Sequence, residues 1–142
     1  MGRASSGVTG RQLAAVTIAF ALLIAGYFAA RQFMRPPTQA TVEEGRASAD
    51  AFLELIRDGN VGEAWDASTT EFKSIEGRES FMRKAKSTPI LAEPLTFASM
   101  QKVAVNNSPR SEFLYTSTKS GKTVRILVGY EGGSWKVDRV TF

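Results

Sequence analysis

The order of apolar and polar residues divides the chain into three parts. From Leu13 to Ala30 nearly every residue is apolar, and none is charged. From Thr41 to about Lys86 apolar residues recur at helical spacing, and from Leu95 onwards they alternate with polar ones. The pattern predicts one long apolar helix, then short amphipathic helices, then strands.

The apolar run has the length of a transmembrane helix. Its 18 residues make a helix of about 27 Å, close to a hydrocarbon core of about 30 Å, and Arg11 and Arg31 bracket it. A cleaved signal peptide fits less well, because its apolar part usually has about 7–15 residues. We expect a cytoplasmic tail over residues 1–11 and a transmembrane helix over residues 12–34, which contacts the lipid bilayer.

The orientation of the span is not fixed by charge, because arginines lie on both sides of it. A short tail, one span and a C-terminal domain most often leave that domain outside the cytoplasm. The expected location is therefore the cell membrane, with a single pass and the soluble domain on the extracytoplasmic side.

A proline-rich linker over residues 35–41 separates the span from the first amphipathic helix, because proline cannot continue a helix. Thr41 and Glu44 have the spacing of a capping box, and Gly59 is a left-handed end for the helix that follows. The apolar stripe of that helix is predicted to consist of Ala47, Ala51, Phe52, Leu55 and Ile56.

Two shorter helices are predicted after Gly59. One runs from Asn60 to about Ser68 and the other from about Gly77 to Lys86, with Phe72 and Ile75 in the connector between them. Pro89 ends the second of these helices.

Four strands are predicted in the last part of the chain, over residues 95–105, 111–118, 123–130 and 134–142. Turn-forming residues separate them, among them Gly132-Gly133. In the last strand Trp135 and Val137 share one parity and Val140 and Phe142 the other, which predicts a bulge near Asp138. Helices followed by an antiparallel meander indicate an α+β fold, with three helices on one face of a curved sheet.

Composition and charge exclude several classes of function. The chain has no cysteine and no histidine, so it has no disulfide, thiolate nucleophile, Cys or His metal site or Ser-His-Asp triad. It also has no glycine-rich phosphate loop. Residues 1–40 hold four arginines and no acid, so they carry the whole net charge of +4. The basic pI therefore does not indicate nucleic-acid binding. We expect no cofactor, metal or nucleic acid.

The residues from the first predicted helix onwards resemble a known family. The outline is carried by the Phe52 helix, the Asp58-Gly59-Asn60 break, the Ala64-Trp65 pair, and the hairpin from Gly129 to Val137. This outline resembles the nuclear-transport-factor-2-like superfamily, also called cystatin-like or ketosteroid-isomerase-type. It looks most like the small membrane-anchored bacterial members, over residues 42–142.

The resemblance implies a cone-like α+β domain with a pocket between the sheet and the helices. Some members of the family are isomerases or dehydratases, whereas many only bind small molecules, dimerise or dock other proteins. Candidates for a pocket lining in this chain are Trp65, Phe97, Tyr115, Tyr130 and Asp138. Core packing is the alternative explanation for the aromatic residues, and no catalytic residue can be matched to the family's motif.

The sequence therefore favours a single-pass, membrane-anchored domain that binds or scaffolds and is non-catalytic, with a homodimer or a protein partner on its sheet face. Two alternatives stay open. One is a small-molecule enzyme of the same fold, of the isomerase or dehydratase type, using Tyr115 or Tyr130 with Asp138. The other is an assembly factor for a membrane protein complex, because cytochrome-oxidase-assembly and mitochondrial-translocase accessory proteins show a weaker resemblance.

Overall fold

The computed structural model describes residues 37–142 of the chain. The tail and the transmembrane helix predicted over residues 1–34 lie outside the described residues. No helix within residues 37–142 is long and apolar enough to cross a membrane. In this part of the chain four α-helices precede a four-stranded antiparallel sheet, which confirms the α+β class.

The first helix, α1 (Val42–Arg57), begins and ends at the residues that the sequence indicates. The hydroxyl of Thr41 accepts a hydrogen bond from the amide of Glu44, and the carboxylate of Glu44 accepts one from the amide of Thr41. This is the predicted capping box. At the other end Gly59 has φ +86°, and the amides of Gly59 and the next residue donate to carbonyls of the last turn. That left-handed ending is the predicted one.

The buried face of α1 differs from the predicted stripe. Ala47 and Ala51 were expected inside and are exposed. The face that the helix buries consists of Gly45, Ala49, Phe52, Leu53 and Ile56. Both sets have helical spacing, so the pattern alone cannot separate them. The ring of Phe113 selects the observed face, because it lies where a side chain at position 45 would be.

Three further helices follow: α2 (Val61–Asp66), α3 (Thr70–Ile75) and α4 (Arg78–Lys86). The prediction of three helices was wrong by one, because Phe72 and Ile75 lie in α3 and not in a connector. The side chain of Thr69 starts α3 by accepting a hydrogen bond from the amide of Phe72. A helix of six residues is too short to show an apolar period, and Thr69, unlike Asn60 before α2, has no Glu or Gln three residues later to signal a helix start. A 3₁₀ turn (Pro89–Ala92) leads into the sheet.

The sheet is the predicted meander, in the order β1-β2-β3-β4. Its strands are β1 (Leu95–Val105), β2 (Ser108–Ser117), β3 (Thr123–Glu131) and β4 (Ser134–Thr141). Asn106-Asn107 and Gly132-Gly133 all have positive φ, as two-residue hairpin turns require.

The bulge predicted near Asp138 is present. Leu127 of β3 pairs with Arg139, whereas the next residue, Val128, pairs with Val137. Asp138 therefore has no partner on β3, which reverses the side-chain parity of β4 at this point.

The helices cover one face of the sheet and form the core with it. That inward face carries Phe113, Val124, Ile126, Val128 and Val137, all buried. Above it the rings of Phe52, Phe72 and Phe81 meet with centroids 5.2–6.0 Å apart. At these spacings tilted and edge-to-face aromatic pairs are favourable.

Candidate functional site

A cleft of about 290 Å³ lies between α1, the 3₁₀ turn and the first two strands. Helix α1 contributes the charged side chains Arg46, Asp50, Glu54 and Arg57, and the strands contribute Phe97 and Tyr115. These residues are distant in sequence, and only the packing of α1 on the sheet brings them together.

A connected network of four side chains lies in this cleft. The Arg46 Nε donates to Asp50 Oδ2 at 3.3 Å, and the Tyr115 hydroxyl donates to Asp50 Oδ1 at 2.6 Å. The guanidinium of Arg46 also lies over the ring of Phe97, with its central carbon 4.9 Å from the ring centroid. Within residues 37–142 the two terminal nitrogens of Arg46 make no hydrogen bond. These nitrogens are donors that a ligand can use.

The network fixes Tyr115 as a hydrogen-bond donor. Burial raises the pKa of the Tyr115 hydroxyl well above its usual range, and the hydrogen bond to Asp50 and the charge of Asp50 raise it further. A tyrosine in this state keeps its proton at neutral pH. Tyr115 can therefore hold Asp50 in place, but it is not poised to act as a base.

Glu93 stands at another wall of the cleft. Its carboxylate accepts hydrogen bonds from the hydroxyls of Ser117 and Ser120, the latter at 2.6 Å. These two hydrogen bonds lower the pKa of Glu93, the one from Ser117 most, and the nearby Lys119 and Lys122 add to the effect. The carboxylate thus ties the β2–β3 turn to the segment that precedes β1.

The five residues predicted as pocket candidates do not share one site. Phe97 and Tyr115 both line the cleft, with ring centroids 5.8 Å apart. Asp138 lines a different cavity of about 200 Å³ between the helices and β4, and it accepts a hydrogen bond from the Thr69 hydroxyl at 2.7 Å. The Thr69 amide also donates to the carbonyl of Val137. Asp138 therefore joins the start of α3 to the bulge.

Trp65 and Tyr130 occupy other places. The Trp65 indole donates to the carbonyl of Glu76 at 2.7 Å, and the ammonium of Lys73 lies over its ring. Tyr130 packs edge to face on Trp135, its partner across β3 and β4. Both side chains make these contacts inside the domain, and neither of them lines the cleft.

Sequence reasoning did not identify Arg46, Asp50, Arg57 or Glu93 as site residues. The spacing of Arg46 and Asp50, four residues apart on a helix, indicates an ion pair. No local signal indicates that Tyr115, 65 residues further on, contacts Asp50. Within residues 37–142 no group of three or more acidic side chains is placed to hold a metal ion.

Comparison of the chain with models of protein families and with curated proteins finds no match to either.

Proposed function

We propose that this chain is a single-pass membrane protein whose domain binds a small ligand in the cleft between α1 and the sheet, without acting as an enzyme. The proposed fold family is the nuclear-transport-factor-2-like superfamily, whose members have a pocket between sheet and helices. The proposed anchor is the apolar run in residues 12–34.

The network around Arg46 supports this proposal. Its guanidinium is held from two sides, by the ion pair with Asp50 and by the ring of Phe97. Within residues 37–142 the N–H groups of its terminal nitrogens have no acceptor, so they can donate to a ligand. A fixed guanidinium with free donors suits a carboxylate, which it can bind through two parallel hydrogen bonds. The aromatic walls formed by Phe97 and Tyr115 suit the apolar part of such a ligand. The ligand class proposed is a small organic acid.

An enzyme built on Tyr115, Tyr130 and Asp138 has less support. Tyr115 donates to Asp50, Asp138 accepts from Thr69 in a different cavity, and Tyr130 packs on Trp135. General acid–base catalysis needs its groups within reach of one substrate. Tyr115 and Asp138 line different cavities, which does not favour their acting together, and Tyr130 lines neither of these two cavities.

Native mass spectrometry of the full-length protein tests the proposal. We expect a bound small molecule on the wild type that is lost in Arg46→Gln. Arg78→Gln is the matched control, because Arg78 also forms a 3.3 Å ion pair, with Asp66, at similar exposure. A ligand retained equally by both variants would place the binding site elsewhere. A wild-type protein that is empty, and that shows no shifted NMR signals in a titration with small carboxylic acids, would reject the proposal.

A further inference from the structure

The sheet face opposite the helices carries three arginines, one on each of three neighbouring strands. Leu127 pairs with Glu112 on one side and with Arg139 on the other, so these side chains share the outward face. Arg110 and Arg125 lie two residues from Glu112 and Leu127 on their own strands, and alternate residues of a strand point to the same face. We call Arg110, Arg125 and Arg139 the arginine face.

The arginine face has little compensating charge. Glu112 is the acid closest in register, and its carboxylate accepts a hydrogen bond from the amide of Gln101. Within residues 37–142 none of the three arginines forms a salt bridge. The Nε of Arg110 is buried and has no acceptor. Unpaired guanidiniums in such a group favour an anionic partner.

The same face is partly apolar. A shallow cavity of about 170 Å³ is lined by Arg125 and Arg139 together with Val103 and Leu127. Leu127 is only 4% exposed although it lies outside the main core cluster. Long arginine side chains commonly cover apolar surface with their stems while their heads reach polar surroundings. A lipid bilayer surface, with anionic headgroups above apolar acyl chains, matches this combination of arginines and apolar residues.

The chain enters the domain against β2. The hydroxyl of Ser111 donates to the carbonyl of Ala40, and both residues are buried on the face of the sheet opposite to Arg110. The linker over residues 35–41 can extend at most about 25 Å. An anchor in residues 12–34 would therefore keep the whole domain, the arginine face included, within linker length of the bilayer, which raises the effective concentration of that face at the membrane.

We infer that the arginine face docks on anionic phospholipid headgroups of the membrane that anchors the chain. This inference rests on the membrane anchor of the proposed function, but not on the cleft. The partner is defined by its charge: phosphate groups at a bilayer surface that carries net negative charge. Arginines near such a surface each strengthen binding about fivefold.

Fluorescence quenching in vesicles tests the inference. The full chain has no cysteine, so Thr141→Cys, at the rim of the face, gives a single site for a fluorophore. The vesicles contain phosphatidylcholine alone or with phosphatidylglycerol, and a lipid with a spin-labelled headgroup as quencher. We expect strong quenching only with phosphatidylglycerol. Arg125→Gln combined with Arg139→Gln should weaken docking about 25-fold, and high salt should abolish it.

Arg78→Gln combined with Arg83→Gln is the control, because these exposed arginines lie on α4 at the helical side of the domain. Equal quenching in neutral vesicles, or quenching unchanged by the two face substitutions, would overturn the inference. Equally tight binding of soluble polyglutamate would overturn it in favour of an acidic protein. Flotation of the chain with neutral vesicles in high salt reports the anchor separately. If flotation fails, the anchor is absent, but quenching by anionic vesicles still shows whether the arginine face binds anionic lipid.

Discussion

At Gly45 the absence of one side chain decides how α1 meets the sheet. A Cβ at this position would overlap Cζ of Phe113, whose ring is fully buried. Gly45→Ala should therefore destabilise the domain by about 1–3 kcal/mol, the usual cost of overpacking a core. Urea denaturation measures the change in the free energy of unfolding.

Gly62→Ala is the matched control for that substitution. A Cβ at Gly62 would also be too close to a neighbour, at 2.5 Å, but this neighbour is the end of the exposed Arg78 side chain, which can move away. Alanine gains up to about 1 kcal/mol over glycine in a helix. We expect Gly62→Ala to be neutral or slightly stabilising, and equal losses in both variants would contradict the packing argument.

Two glutamates should make the stability of the domain depend on acid. Hydrogen bonds from the amide and hydroxyl of Thr70 lower the pKa of Glu131, and those from Ser117 and Ser120 lower the pKa of Glu93. A carboxyl group with a lowered pKa in the folded state stabilises the protein above its unfolded pKa, near 4.5. This contribution is lost as the pH falls through the lower, folded pKa.

Urea denaturation from about pH 6 to about pH 3 tests this dependence. The loss of stability on acidification should be smaller in Glu131→Gln and in Glu93→Gln than in the wild type. Glu79→Gln should follow the wild type, because Glu79 is exposed on α4 and makes no side-chain hydrogen bond within residues 37–142. Parallel curves for all the variants would show that these hydrogen bonds do not matter.

At the scale of the elements, one buried threonine holds the start of α3. The buried side chain of Thr69 accepts from the amide of Phe72 and donates to Asp138, and its own amide donates to Val137. Thr69→Val keeps the shape but removes the hydroxyl. We expect a loss of about 2–4 kcal/mol, because the helix cap is worth about 1 kcal/mol and an unsatisfied buried acceptor costs about 1–3 kcal/mol.

Thr41→Val separates these two contributions. Thr41 caps α1 in the same way but is exposed and has no buried carboxylate to satisfy. Its loss should cost only about 1 kcal/mol. Thermal or urea unfolding compares the two variants, and Thr69→Ser should restore most of the stability. Equal costs at both threonines would mean that the hydrogen bond to Asp138 contributes nothing.

On the scale of the whole molecule, the part of the chain described by the structure should fold by itself. The core cluster of the domain lies between Ala40 and Val137, and residues 37–142 form a compact unit. A fragment of these residues should unfold in one cooperative transition and give a dispersed NMR spectrum, as single domains of this size do. A fragment that is insoluble or lacks a cooperative transition would contradict this expectation.

Much of the fold could be predicted because its signals are local. A capping box, a left-handed glycine, paired turn residues and a change of strand parity each involve only a few neighbouring residues, and all four are confirmed. The sequence analysis missed the short helix α3, because the start of this helix depends on Thr69, which also binds Asp138 on β4. The sequence analysis missed part of the buried face of α1 because the buried Gly45 and Ala49 and the exposed Ala47 and Ala51 are all small residues at helical spacing.

The sequence by itself determined the α+β class, the order of the strands, the turns and the bulge at Asp138, since hydrophobic period and turn chemistry act over short distances. Only the tertiary structure decided which candidates share a site. It separated Asp138 from Tyr115, brought Arg46 and Asp50 to Phe97 and Tyr115, and placed three arginines on one outward face. Contacts between side chains on different elements depend on how a helix is rotated against a sheet. That rotation was set here by the shape of a few packed residues, which the pattern along the chain does not encode.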